Sequence, residues 1–194
     1  MTPKIIDKTM FREMPWANGG GTTTELIAHH SEQSGRMLWR LSMAGVSSDG
    51  PFSRFSGYDR VLVLMSGQGL RLCHQNGTEQ SLSSVYDLVV FPGDVGTHAT
   101  LVDGPIQDFN VITDRTAFVP AVVATKNGDG GHVKVNGHVL AVFAVDNDLL
   151  IVDPGEVHHR IPTGDLLVVD LPQHGDWTVE GATAIVTQLR QVEG

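Results

Sequence analysis

Seven of the nine arginines in this 194-residue chain fall before residue 116: Arg12, Arg36, Arg40, Arg54, Arg60, Arg71 and Arg115. A guanidinium is a planar, permanently charged fork that matches a carboxylate or phosphate through paired hydrogen bonds. If the first half of the chain holds a pocket, it is the half better supplied to grip an anion. Arg60 heads the apolar run RVLVLMSG (60–67), and Arg40 sits inside LWRLSMAG (38–45). Further along, DFN places Asp108 and Asn110 on one face of an extended segment and Phe109 on the other. Asn110 could hydrogen-bond a ligand amide or acid, and Asp108 could orient Arg60 or Arg40. A buried salt bridge that only braces the fold is the plainer use of the same residues. Phe52, with Phe55 and Trp16, offers an apolar wall. Ser53 has no activating His–Asp pair in sight, which speaks against a serine hydrolase.

These residues need elements to hold them, and the pattern is that of strands. Helical periodicity is almost absent. Short apolar or alternating runs recur instead, at 37–46, 60–67, 69–74, 87–93, 108–113, 138–145, 148–155 and 165–172, each bounded by Gly, Pro, Asn or Asp. Alternation in 37–46 sets Trp39, Leu41 and Met43 against Arg40, Ser42 and Ala44, so Arg40 points either into a core or out of it. QNGT (75–78) and VNGH (135–138) carry Asn-Gly, the strongest short hairpin signal. TKNGDGGH (125–132) reads as a weakly ordered linker. An internal repeat is also visible: DLVVFPGDV (87–95) and DLLIVDPGEV (148–157), each followed by histidine.

Composition narrows the function. Thirteen basic residues against 22 acidic give a net charge of −9, which disfavours nucleic-acid and anionic-membrane partners. Cys73 is the single cysteine, so an intrachain disulfide and a Cys-rich zinc site are excluded. No run of apolar residues is long enough to span a bilayer, and the first 30 residues carry Asp7, Arg12, Glu13 and Glu25 with no apolar signal core. A cytoplasmic protein is the expectation.

Strand–Gly–strand followed by strand–Pro-Gly-acid, twice over, resembles the cupin jelly roll. The expected fold is therefore all-β, a double-stranded β-helix built as a bicupin, with residues 1–115 forming a half that carries the pocket and 116–194 a degenerate second half. Cupins bind metal through His-x-His, a nearby Glu and a later His. In PFSRFSGYDR those places hold Ser53, Arg54, Phe55 and Ser56, and Arg60 stands where the glutamate would fall. A cation in that place repels a divalent ion and attracts a carboxylate. His98 alone is an insufficient remnant, while His132, His138 and one of His158 and His159 leave open a separate three-histidine site. The reading adopted is no metal and no cofactor.

PWANGGGTTTEL (15–26), the 38–69 segment and LVDGPIQDFNVITDR (101–115) together resemble the HutD/Ves family of bicupins, in the expected order. The resemblance implies a small-molecule binder, its ligand an acidic histidine catabolite such as urocanate or formylglutamate, and a role in regulating histidine utilisation. Two basic positions usual in the family are Ala17 and Thr24 here. The three glycines 19–21 open no helix and precede no lysine, so a phosphate loop is rejected. They fit a backbone that must pass close to a ligand or a strand, with Trp16, Asn18 and Glu25 rimming the mouth of the first half. Three readings remain: a metal-free sensor, a metal-free isomerase or hydrolase using Glu25 or Asp108 as base and Arg60 for the oxyanion, and a purely structural or protein-interaction barrel. Exposed strand edges make a homodimer possible.

Overall fold

A computed structural model of the chain describes residues 3–16, 20–126, 131–172 and 174–193. The apolar runs are strands and the Gly, Pro, Asn and Asp clusters are turns. Apart from a single turn of 3-10 helix at Lys8–Met10, the described elements are all β. No helix among the described residues is long and apolar enough to cross a membrane.

The chain divides into two compact units, Phe11–Ala117 on one side and residues 1–10 with 118–194 on the other. The sequence expectation placed residues 1–115 together; the first ten belong elsewhere. The reason is a strand, Lys4–Ile6, that pairs antiparallel with Leu166–Asp170.

In the first unit a six-stranded antiparallel sheet runs in the order Arg12–Pro15, Gly21–His30, Met37–Val46, Ile106–Asp114, Tyr58–Ser66, Leu88–Pro92. A four-stranded sheet holds Gly50–Pro51, Thr97–Leu101, Leu70–His74 and Glu79–Leu82. Inward residues of both sheets, among them Leu62, Leu64 and Phe91 from one and Leu70, Leu72 and Leu82 from the other, share one core. This is the jelly roll anticipated from the punctuation of the sequence. Gly77 shows why the Asn-Gly signal works: its φ of 87° is the left-handed conformation that closes the hairpin from Leu70–His74 to Glu79–Leu82.

The second Asn-Gly behaves otherwise. The strands flanking residues 136–138, Gly131–Val135 and Val139–Ala144, lie in different sheets and do not pair. Asn136 donates its backbone N–H to the Gln188 side chain at 3.0 Å, so the turn is a corner between sheets rather than a hairpin. Val133, Leu140, Val142, Ile151, Leu167, Trp177 and Val186 of this second unit form one buried apolar cluster. Residues 127–130 of the expected linker 125–132 lie outside the described residues; Thr125 ends one strand and Gly131 starts another.

Candidate functional site

Register across the six-stranded sheet places the polar residues in rows. Arg40 and Arg60 flank Ile112, since Ile112 is opposite Arg40 on one side and Arg60 on the other. One pleat along, Glu25, Ser42, Asn110 and Leu62 stand in line. The next row holds Thr23, Ala44 and Asp108. Because side chains alternate across a strand, all three rows face the same way, and that way is inward. The alternation in 37–46 left Arg40 open between core and solvent; the structure turns its face, with Ser42 and Ala44, to the interior.

These rows floor a cavity of about 380 Å³ within the first unit. Trp16, Thr23, Pro51, Phe52, Ser53 and Phe55 complete its wall around Arg40, Ser42, Ala44, Arg60, Asp108 and Asn110. Six of the eight residues singled out in the sequence are thus brought together. Glu25 is not in the lining; it flanks Arg40, with 3.9 Å between carboxylate and guanidinium. Asn18 lies outside the described residues, as does Ala17. Thr24 pairs with Met43 and so faces away from the Thr23 row. Thr23, Ser42 and Ala44 were missed as site residues, although the alternating pattern grouped the last two with Arg40.

Arg60 is 6% exposed. Its Nη2 donates to Asn110 Oδ1 at 2.7 Å and its Nη1 to the Ser53 carbonyl at 3.3 Å. Its guanidinium carbon lies 5.0, 5.3 and 5.5 Å from the ring centres of Phe91, Phe52 and Phe55, a cation–π enclosure that substitutes for part of the lost water. Arg40 also lies over the Phe55 ring, its guanidinium carbon 5.4 Å from the centre. The Nε of each arginine is buried with no hydrogen-bond partner among the described residues. Burial lowers the Arg60 pKa to about 10, with Asp108 opposing the shift and the charge of Arg40 adding to it. It remains a cation at neutral pH.

Asp108 does not form the direct ion pair with either arginine that the sequence allowed. Asn110 stands between, accepting from Arg60 and donating its amide to Asp108 Oδ1. Asp108 is 1% exposed, and burial pushes its carboxyl up to about 7, against the pull of Arg60 and the Asn110 hydrogen bond. Trp16 is fixed at the rim by its indole N–H, which donates to Thr23 Oγ1 at 2.8 Å. Gly21 explains part of the glycine run: a Cβ there would collide with the Gly45 carbonyl oxygen and crowd the Trp16 ring at 3.1 Å. The strand beginning at Gly21 can lie against Met37–Val46 only without a side chain at that point.

Among the described residues no three His, Cys, Asp or Glu side chains come together as a metal site. His98, His132 and His158 are exposed, and His159 is held 3.4 Å from Asp153.

The family model HutD matches residues 8–187. The chain belongs to the HutD family. An uncharacterized 21.2 kDa protein from the hutC 3′ region of Pseudomonas putida is 36% identical over 102 residues, 53% of this chain and 53% of that protein. This match thus spans about half the length of that relative. Protein Ves of Citrobacter koseri is 30% identical over 158 residues, 76% of this chain and 80% of the relative. HutD from Pseudomonas fluorescens SBW25, solved in a formate condition, superposes with a TM-score of 0.83 at 26% identity, covering 99% of this chain and 100% of that one.

Proposed function

We propose that this HutD-family chain is a metal-independent receptor for a small carboxylate, sensing an acidic histidine catabolite such as urocanate or formylglutamate in the cytoplasm and modulating histidine utilisation. The observation that carries the reading is Arg60: a buried cation in a cavity wall, with an unpartnered Nε and no carboxylate paired to it directly. A buried charge left in that condition is costly unless something compensates it. A ligand carboxylate is such a compensation, and Arg40 beside the same phenyl ring, with Glu25 3.9 Å from it, adds a second guanidinium. The ligation positions of metal-binding cupins hold Ser53, Arg54, Phe55 and Arg60, which supports binding without a metal.

Titrating urocanate and formylglutamate into wild type and Arg60→Ala by isothermal calorimetry tests this. Loss of charged hydrogen bonds should weaken the preferred ligand by about 1.5–3 kcal/mol. Arg60→Lys, which keeps the charge and loses the fork, should fall between the two. Equal affinity in all three proteins refutes the reading.

One observation favours a second reading, a metal-free enzyme acting on a small carboxylate. Asp108 combines burial in the cavity wall with a carboxyl raised to about 7, the range of a general base. Following both acids by NMR over a long incubation distinguishes turnover from binding alone.

A further inference from the structure

The charges of the cavity are separated along the strands. The cations Arg40 and Arg60 share one row, and Asp108 lies two pleats away across Ser42 and Asn110, its carboxylate separated from the Arg60 guanidinium by the single side-chain amide of Asn110. Asn110 is orientated by its neighbours: its oxygen faces Arg60 and its amide nitrogen faces Asp108. That leaves one carboxylate oxygen of Asp108 with no donor among the described residues, in a side chain that is 1% exposed and lines the cavity. Once Asp108 is ionised, above the raised value of about 7, that oxygen is an acceptor that asks for a donor. Ser42, whose hydroxyl lies in the intermediate row, is likewise buried in the lining. Phe52, Phe55 and Trp16 supply aromatic surface to the same lining.

We infer that Asp108 is a specificity-determining residue, selecting among small carboxylates those that carry an N–H donor at the end remote from the carboxylate. This rests on the carboxylate-binding reading above and goes beyond it. That reading needs only a cation; this one requires a bipolar ligand laid along the strands, anion toward Arg40 and Arg60 and donor toward Asp108. A ligand with an acceptor or a second anion at its far end meets an unshielded carboxylate oxygen instead. A site built to receive a donor discriminates strongly against an isostere lacking it, because the buried acceptor is then left unpaired.

The test uses two probes of one shape: urocanate, with a ring N–H, and 3-(2-furyl)acrylate, with the same acrylate on a five-membered ring and no N–H. Their dissociation constants are measured by calorimetry at a single mildly alkaline pH, for wild type, Asp108→Asn and Asp108→Ala. Wild type should prefer urocanate by about ten- to a hundredfold. Asp108→Ala should bring the two within roughly threefold by weakening urocanate alone. Asp108→Asn, which preserves shape and keeps a weaker acceptor, should fall between and serves if the alanine variant does not fold. A wild-type preference that survives both substitutions, or equal binding of the two probes by wild type, overturns the assignment of Asp108 while leaving carboxylate binding intact. Failure of wild type to bind either probe or formylglutamate, by contrast, removes the carboxylate reading and this inference with it.

Discussion

Asp108 exchanges bulk water for a single amide donor from Asn110, and the cost of that exchange is visible in its raised pKa. The consequence for stability has a definite sign. An acid whose pKa is higher folded than unfolded holds its proton more tightly in the folded state. The folded protein therefore loses stability as pH rises from 3.8, the ordinary value, through about 7. Below that window the group contributes nothing to the difference. Asp108→Asn removes the ionisation and keeps an acceptor for Asn110, so the variant should match wild type near the acid end and be more stable above neutrality, by at most about 4 kcal/mol. Thermal denaturation of both proteins across the window measures it; a constant offset with pH would show that Asp108 does not ionise on that path. The sequence placed Asp108 and Asn110 on one face correctly, because strand alternation is a local rule. It could not show that Asn110 would insert itself between the acid and Arg60, since that depends on side-chain reach across two strands.

At the scale of elements, the strand from Gly21 to His30 holds the rim of the cavity, and its start is set by contact rather than by flexibility. Gly21→Ala introduces a Cβ against the Gly45 carbonyl oxygen, which is backbone and cannot rotate away. Overpacking of this kind costs about 1–3 kcal/mol. Chemical denaturation should register that loss, and Trp16 fluorescence should shift, because the indole ring is the next nearest neighbour; an unchanged midpoint would mean that the strand moves freely. The glycine run announced close approach, and its partner, a carbonyl on a strand more than twenty residues away in sequence, emerges only from the register. The two Asn-Gly pairs teach a related lesson. Both mark a change of chain direction, yet only residues 76–77 join strands that pair. Local turn chemistry is the same at both, and whether the next strand returns to its neighbour or crosses to the other sheet is decided by where its apolar face finds a core.

Across the whole chain a β architecture is built twice, and the two units line their internal spaces differently. The cavity of residues 11–117 is lined in part by Arg60, Asp108 and Asn110, while the space within the apolar cluster of the other unit is lined by Val, Leu, Ile and Trp alone, its buried Asp165, Thr183 and Thr187 lying outside that lining. The repeat in the sequence revealed the duplication; the difference in filling was legible only from the arginine bias, and then without saying which arginines turn inward. Polar groups of this kind do not serve stability well, since a buried charged network is commonly matched or exceeded by apolar residues of similar volume. If the network exists for a ligand, the protein should tolerate its removal as a fold and fail as a receptor. The triple substitution Arg60→Met, Asp108→Leu and Asn110→Leu imitates the apolar cluster of residues 118–194. It should retain the β circular-dichroism spectrum, raise the denaturation midpoint above wild type at mildly alkaline pH, and abolish binding of urocanate and formylglutamate. The three positions must be changed together, because removing one partner strands the others and costs roughly 3–5 kcal/mol. A triple variant less stable than its single variants would instead make the network a brace of the fold, and the cavity around it incidental.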